Sequence, residues 1–170
     1  MYTRGRGDQA LRRHRVSLPD TCFFLTLCLE SRHVGLNEND TATAITAEIA
    51  RIETDGHWRI RAGVIMPDHL HLLVHLAGSL SVARCVARLK SKTNVSLSAR
   101  NLSWQGNFYE HRLRPNDAIA EVIRYIFLNP YRDRLVRIGE PYRWFWLGAD
   151  ESAWFKAGTD QSYPFAEWLR

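Results

Sequence analysis

Trp58-Arg59-Ile60-Arg61-Ala62-Gly63-Val64-Ile65-Met66-Pro67-Asp68-His69-Leu70-His71-Leu72-Leu73-Val74-His75-Leu76 is the stretch that decides the fold. From Trp58 to Met66 the residues alternate as in a strand, with Trp58, Ile60, Ala62, Val64 and Met66 on one side and Arg59 and Arg61 on the other. Pro67-Asp68 makes a turn, and His69 to Leu76 returns as a second strand. Side chains two apart share a face of a strand, so His69 and His71 project together while Leu70, Leu72 and Val74 enter apolar packing opposite them. His75 continues the histidine face further along, where it makes a poorer partner for the pair.

Working outward, Thr21 to Leu29 (TCFFLTLCL) follows Pro19 and is rich in β-formers, which predicts a buried strand. Ile45, Ile49 and Ile52 recur at helical spacing within Thr41 to Thr54, and Gly56 stands where a helix would stop. Beyond the hairpin, Ser79 or Ser81 caps a helix with Val82, Cys85, Val86 and Leu89 inward and Arg84, Arg88, Lys90 and Lys92 outward. Trp104 to Leu113 reads as a fourth strand. Asn116 or Asp117 then opens a helix through Leu128 that ends before the Asn129-Pro130 step. The order β-α-β-β-α-β predicts an α+β fold: a ferredoxin-like antiparallel sheet with two helices on one face, an additional tyrosine-bearing helix and an aromatic-rich C-terminal tail. The expected division is a basic arm over residues 1–15, a catalytic domain over 16–140, and a tail over 141–170 packed on that domain.

A hydrophobic fraction of 45% and a charged fraction of 24% in 170 residues exclude a largely disordered chain. The net charge of +5 and a pI near 9.4 favour a polyanionic partner such as nucleic acid. Cys22, Cys28 and Cys85 form no C-x-x-C pair, so neither a disulfide framework nor a cysteine zinc site is indicated, and a reducing cytoplasm fits. No stretch has the apolar length of a secretory signal or a membrane span, so no membrane partner is expected. Arg12, Arg13 and Arg15 in the amino-terminal arm, the four cations Arg84, Arg88, Lys90 and Lys92, and Arg132 are candidates for DNA phosphate contacts. Trp144, Trp146, Trp154 and Trp168 read as packing residues more than as base-stacking platforms.

Two imidazoles side by side on a rigid strand form a ready chelate for a divalent metal, with positions left for a substrate oxygen. Tyr125 and Asn129 stand at i and i+4, so a phenol and an amide emerge together if the helix persists to its end. A phenol with a pKa near ~10 attacks a phosphodiester poorly at neutral pH unless a cation polarises the phosphate. Asn129 supplies a neutral oxygen suited to such a cation.

Met66-Pro67-Asp68-His69-Leu70-His71, Trp104-Gln105 with Phe108 and Glu110-His111, and Tyr125-Ile126-Phe127-Leu128-Asn129-Pro130 together resemble the REP-associated tyrosine transposases, members of the HUH superfamily of single-strand DNA nucleases. The resemblance runs in order from about Val16 to Val136. It implies Mg²⁺ or Mn²⁺ on His69 and His71 with Asn129 helping to hold it, and Tyr125 as a nucleophile that forms a 5′-phosphotyrosine intermediate. It further implies a monomer acting on single-stranded or hairpin DNA at palindromic repeats, in the cytoplasm of a bacterium and near its nucleoid. Asn129-Pro130-Tyr131-Arg132-Asp133-Arg134 departs from the family's Asn-Pro-Val-Arg followed by small residues. Arg12-Arg13-His14-Arg15 stands where a tyrosine-arginine-arginine pattern is usual. The function implied is a metal-dependent single-stranded DNA endonuclease and strand transferase. The other readings are a non-catalytic DNA-hairpin-binding regulator on the same fold and a metal phosphoesterase that uses water.

Overall fold

The computed structural model describes residues 20–156. Strands β1 (Thr21–Cys28) and β3 (His69–Leu76) lie at the centre of one antiparallel sheet, because both are apolar on two faces and buried on both. With β2 (Trp58–Ile65), β4 (Tyr109–Arg112) and β5 (Phe145–Leu147), the order is β4-β1-β3-β2-β5. Helices α1 (Asn39–Thr54) and α2 (Val82–Ser98) complete the β-α-β-β-α-β order, and the fold is ferredoxin-like. Their apolar stripes, Ile45, Ile49 and Ile52 on α1 with Val82, Cys85, Val86 and Leu89 on α2, meet Leu70, Leu72, Val74 and Leu76 of β3 in the larger core. Helix α3 (Ile119–Arg132) covers the other face, where Val122, Ile123 and Ile126 pack on Phe24, Ala62, Val64, Met66 and Leu73. A single turn, α4 (Ala149–Ser152), follows β5. No described helix is long and apolar enough to cross a membrane.

The helix signals hold where they are local. The Ser81 hydroxyl accepts the Arg84 N–H at 3.3 Å and caps α2. Gly56, at a φ of 75°, closes α1 with its N–H on the Glu53 carbonyl and the His57 N–H on that of Ile52. Four local expectations are corrected. In β2 the register slips between Ile60 and Ala62, so Arg61 is an extra residue. A one-residue bulge reverses every later side chain. Trp58 and Ile60 therefore enter the core under α1 and α2, while Ala62, Val64 and Met66 form the floor beneath α3. Arg61, at the bulge, donates to Glu151 at 2.6 Å. The fourth strand is shorter than Trp104 to Leu113: only Tyr109–Arg112 pairs with β1, and Trp104 makes one isolated bridge to Leu29. The intervening loop is tied instead to α2 by Lys90, whose ammonium donates to the Gln105 and Asn107 carbonyls at 2.8 and 2.9 Å. Neither Asn116 nor Asp117 caps α3, whose N-cap position is Ala118; the Asp117 carboxylate accepts the Arg114 N–H at 2.7 Å in the preceding turn. Finally, α3 runs through Pro130 to Arg132. Proline costs a helix one N–H and a steric clash. Here Phe127 to Tyr131 are all buried, and that packing holds the last turn against it.

Strand β5 extends the sheet along β2, pairing Trp146 with Gly63. Trp144 and Trp146 pack against the larger core, Trp154 is exposed, and Trp168 lies outside the described residues. Gly63 leaves room for the indole of Trp146: a Cβ there would fall under 3.0 Å from three of its ring atoms. Gly63→Ala therefore overpacks this contact, and a loss of about 1–3 kcal/mol is expected, read as a lower urea midpoint with unchanged slope.

Candidate active site

The sheet presents His69 and His71 toward α3, and the two rings meet edge to face with centroids 4.5 Å apart. Cross-strand registry sets Thr26 opposite His71 and Cys28 opposite His69. The Thr26 hydroxyl lies 2.9 Å from His71 Nδ1, and the Asp68 carboxylate 2.6 Å from His69 Nδ1. Each ring thus has Nδ1 engaged by the protein, which fixes ring orientation and leaves Nε2 as its remaining nitrogen. Asp68 is held in turn by Arg32, whose Nε is 2.6 Å from its other oxygen. Ser31 and Arg32 both take left-handed backbone angles, φ of 52° and 54°, in the short turn Glu30–Arg32 that brings this guanidinium to the site.

Helix α3 supplies the phenol. The Tyr125 ring centroid is 5.5 Å from that of His71 and 5.9 Å from that of Phe24, which itself stacks on His71 at 5.2 Å. One turn later Asn129 is buried, and its side-chain amide donates to the Tyr125 carbonyl at 2.7 Å, so its Oδ1 is the atom left to accept or ligate. The Arg132 guanidinium sits 5.6 Å from the Tyr125 ring centroid. His69, His71, Tyr125, Asn129 and Arg132 line one cavity of about 490 Å³ together with Phe24, Thr26, Arg32, Tyr109 and Asp133.

The remaining expected residues lie elsewhere. His75 Nε2 lies 2.9 Å from an Asp20 carboxylate oxygen, beyond Leu73 on the same face. The cations of α2 belong to a helix that packs on the opposite face of the sheet. The outward basic face expected there is corrected at two positions: Arg88 pairs with Glu48 at 2.7 Å and Asp55 at 2.6 Å, and Lys90 binds the loop carbonyls. Arg84 and Lys92 are that helix's exposed cations. Arg12, Arg13 and Arg15 lie outside the described residues. Sequence reasoning missed Thr26, Arg32, Asp68 and Tyr109 as site residues. Pairing β1 against β3 would have found Thr26; nothing local marks Arg32.

Burial lowers the pKa of His69, against the pull of Asp68, and lowers that of His71 well below the ordinary value, with His69 adding to the effect. Both rings are neutral at pH 7, the form that ligates metal. Burial raises the Tyr125 phenol; Arg132 and Asn129 oppose this and Asp133 adds to it. The phenol is therefore protonated at neutral pH. As pH falls below about 6.5 the unfolded chain takes up protons on these histidines more readily than the folded chain, so folding stability decreases. The loss of stability from this pair, read by denaturant titrations between about pH 6.5 and 5, is expected to shrink in His71→Gln.

Among the described residues no group of three or more His, Cys, Asp or Glu side chains is placed to hold a metal ion. Beside the two imidazoles, Asn129 Oδ1 is a neutral oxygen in the same cavity that could serve as a further donor. Two imidazole nitrogens with one amide oxygen suit a divalent cation that keeps open positions for phosphate oxygens.

The five-stranded sheet thus sets paired histidines on its central strand against a phenol from helix α3. The chain belongs to the family described as transposase, IS200-like, whose family model matches residues 21–126, a span that includes His69, His71 and Tyr125. It is similar to a REP-associated tyrosine transposase of Escherichia coli strain K12, at 26% identity over 90 residues, 52% of this chain and 54% of that protein. The match thus spans about half the length of that relative. The fold is also that of a solved REP-associated tyrosine transposase bound to a REP hairpin, with a TM-score of 0.72 at 20% identity over 92% of this chain and 93% of that one.

Proposed function

We propose that this chain cuts and rejoins single-stranded DNA beside hairpin-forming repeats, acting as a monomer with Tyr125 as nucleophile and a divalent cation, Mg²⁺ or Mn²⁺, at the histidine pair. The observation that carries the reading is the contact of three distant side chains in one cavity: His69 on His71 at 4.5 Å and His71 on Tyr125 at 5.5 Å.

Tyr125 Oη attacks the phosphorus of one phosphodiester and the bond from phosphorus to the 3′ oxygen breaks. The phenol gives up its proton and the departing 3′ oxygen takes one up, leaving a 5′-phosphate ester on tyrosine and a free 3′-hydroxyl. Attack by the 3′-hydroxyl of another end reverses the sequence and reseals the strand, because the ester conserves the bond. His69 Nε2, His71 Nε2 and Asn129 Oδ1 would hold the cation. A divalent cation held there would polarise the scissile phosphate and favour the phenolate over the phenol. The chain's own contributions are to keep both imidazoles neutral, to orient them through Asp68 and Thr26, and to place the Arg132 guanidinium where it opposes negative charge on the phenol oxygen. Phe24, packed against both His71 and Tyr125, gives the nucleophile an apolar wall.

The test is a denaturing gel of the protein incubated with a hairpin oligonucleotide carrying a single-stranded flank. A covalent adduct that forms with Mg²⁺ or Mn²⁺ and disappears with EDTA is expected. Hairpin binding indifferent to EDTA, with no adduct, would instead establish a binding regulator on this fold.

A further inference from the structure

A second groove lies beyond the tyrosine helix and meets the first cavity at Arg132. After Arg132 the chain turns at Arg134, which holds a left-handed φ of 57°. Leu135 N–H returns to the Pro130 carbonyl at 2.8 Å, and the Tyr131 hydroxyl donates to the Glu140 carbonyl at 2.6 Å. The Glu140 carboxylate accepts the Arg137 N–H at 3.2 Å, so the turn is tied at both ends. The result is a groove of about 780 Å³, and Arg132 lines both it and the catalytic cavity.

The groove combines cationic and exposed aliphatic side chains. Its lining carries Arg134 and Arg137, neither of which has a carboxylate within ion-pairing distance among the described residues, and Glu140, whose carboxylate accepts the Arg137 backbone N–H. In the same groove Leu135 and Ile138 are 38% and 70% exposed. Unneutralised guanidinia beside bare aliphatic side chains match a ligand that alternates phosphate with exposed base faces, which is single-stranded nucleic acid. A duplex hides its base faces and would leave Leu135 and Ile138 without a partner.

We propose that this groove takes the unpaired DNA flank that runs away from the cleavage point, with Arg134 and Arg137 on its phosphates and Leu135 and Ile138 against its bases. The inference rests on the strand-transferase reading and adds to it the path of the flank and the residues that hold it.

The test measures equilibrium binding of two hairpin oligonucleotides, one ending next to the cleavage point and one extended by about six further unpaired nucleotides, to the wild-type chain and to Arg134→Gln/Arg137→Gln. In the wild type the longer flank should bind about tenfold more tightly; in the double variant the advantage should fall to near onefold. The slope of log affinity against log salt for the longer oligonucleotide should shrink by about 1.4, or about 0.7 for each lost phosphate contact. Matching melting temperatures would exclude misfolding of the variant. An undiminished advantage, or equal weakening of both oligonucleotides, would overturn the proposal. Failure of the wild type to form any covalent adduct, with the flank advantage intact and lost in the double variant, would sink the strand-transferase reading and keep the groove. No binding of either oligonucleotide by the wild type would overturn both.

Discussion

Tyr125→Phe is expected to abolish covalent attachment to DNA, with rates down on the order of 10⁴-fold or more, while hairpin affinity stays within about threefold. The substitution removes one oxygen and keeps the ring that Phe24 and His71 contact at 5.9 and 5.5 Å, so helix α3 has no reason to move. Tyr109 is the control built into the site. It lines the same cavity, yet it meets Phe24 at 6.4 Å and is 40% exposed on an edge strand. If it were the nucleophile, Tyr125→Phe would leave the adduct in place and Tyr109→Phe would remove it. Quantifying adduct for both variants under the same divalent cation separates the cases.

His71→Ala is expected to reduce adduct formation on the order of 10³-fold and to remove the response to metal. A cation bound to the folded chain only, at a free concentration a hundredfold above its dissociation constant, stabilises it by about 2.7 kcal/mol. For a chain of this size that is about 5–10 °C in melting temperature. The wild type should show this rise with Mn²⁺ and the variant should not. The variant also loses the stack on Phe24 and leaves the Thr26 hydroxyl without its ring partner, so its melting temperature without metal falls as well. The comparison that matters is therefore the shift on adding Mn²⁺. A normal shift in His71→Ala would place the cation elsewhere.

The histidine pair was legible because a strand has a period of two and both neighbours of His71 are leucines: the alternation survives any error in strand ends. The element order β-α-β-β-α-β was legible, since α1 and α2 carry clean apolar stripes and local stop and cap signals, whereas β5 within the tail was not. The bulge was not. Inserting Arg61 leaves Trp58, Ile60, Ala62, Val64 and Met66 alternating in the sequence while the structure sends the first two to one core and the last three to the other. The end of α3 was also hidden, because proline argues for a stop and only the burial of Phe127 to Tyr131 overrides it. That continuation preserves the four-residue step from Tyr125 to Asn129 on one helix. Arg88 and Lys90 looked like a solvated basic face; their partners Glu48, Asp55 and the Gln105 and Asn107 carbonyls lie 15 to 40 residues away along the chain. The link from Arg32 through Asp68 to His69 depends on a left-handed pair of residues that no propensity foretells.

Mapping the covalent bond tests the convergence of imidazoles and phenol most directly. The protein is incubated with a hairpin oligonucleotide and Mn²⁺, digested with nuclease and protease, and its peptides are weighed by mass spectrometry. The account predicts a nucleotide joined through its 5′-phosphate to the peptide containing Tyr125, absent in EDTA. A nucleotide on the Tyr109 peptide, or cleaved DNA bearing free 5′-phosphates with every peptide unmodified, would contradict it.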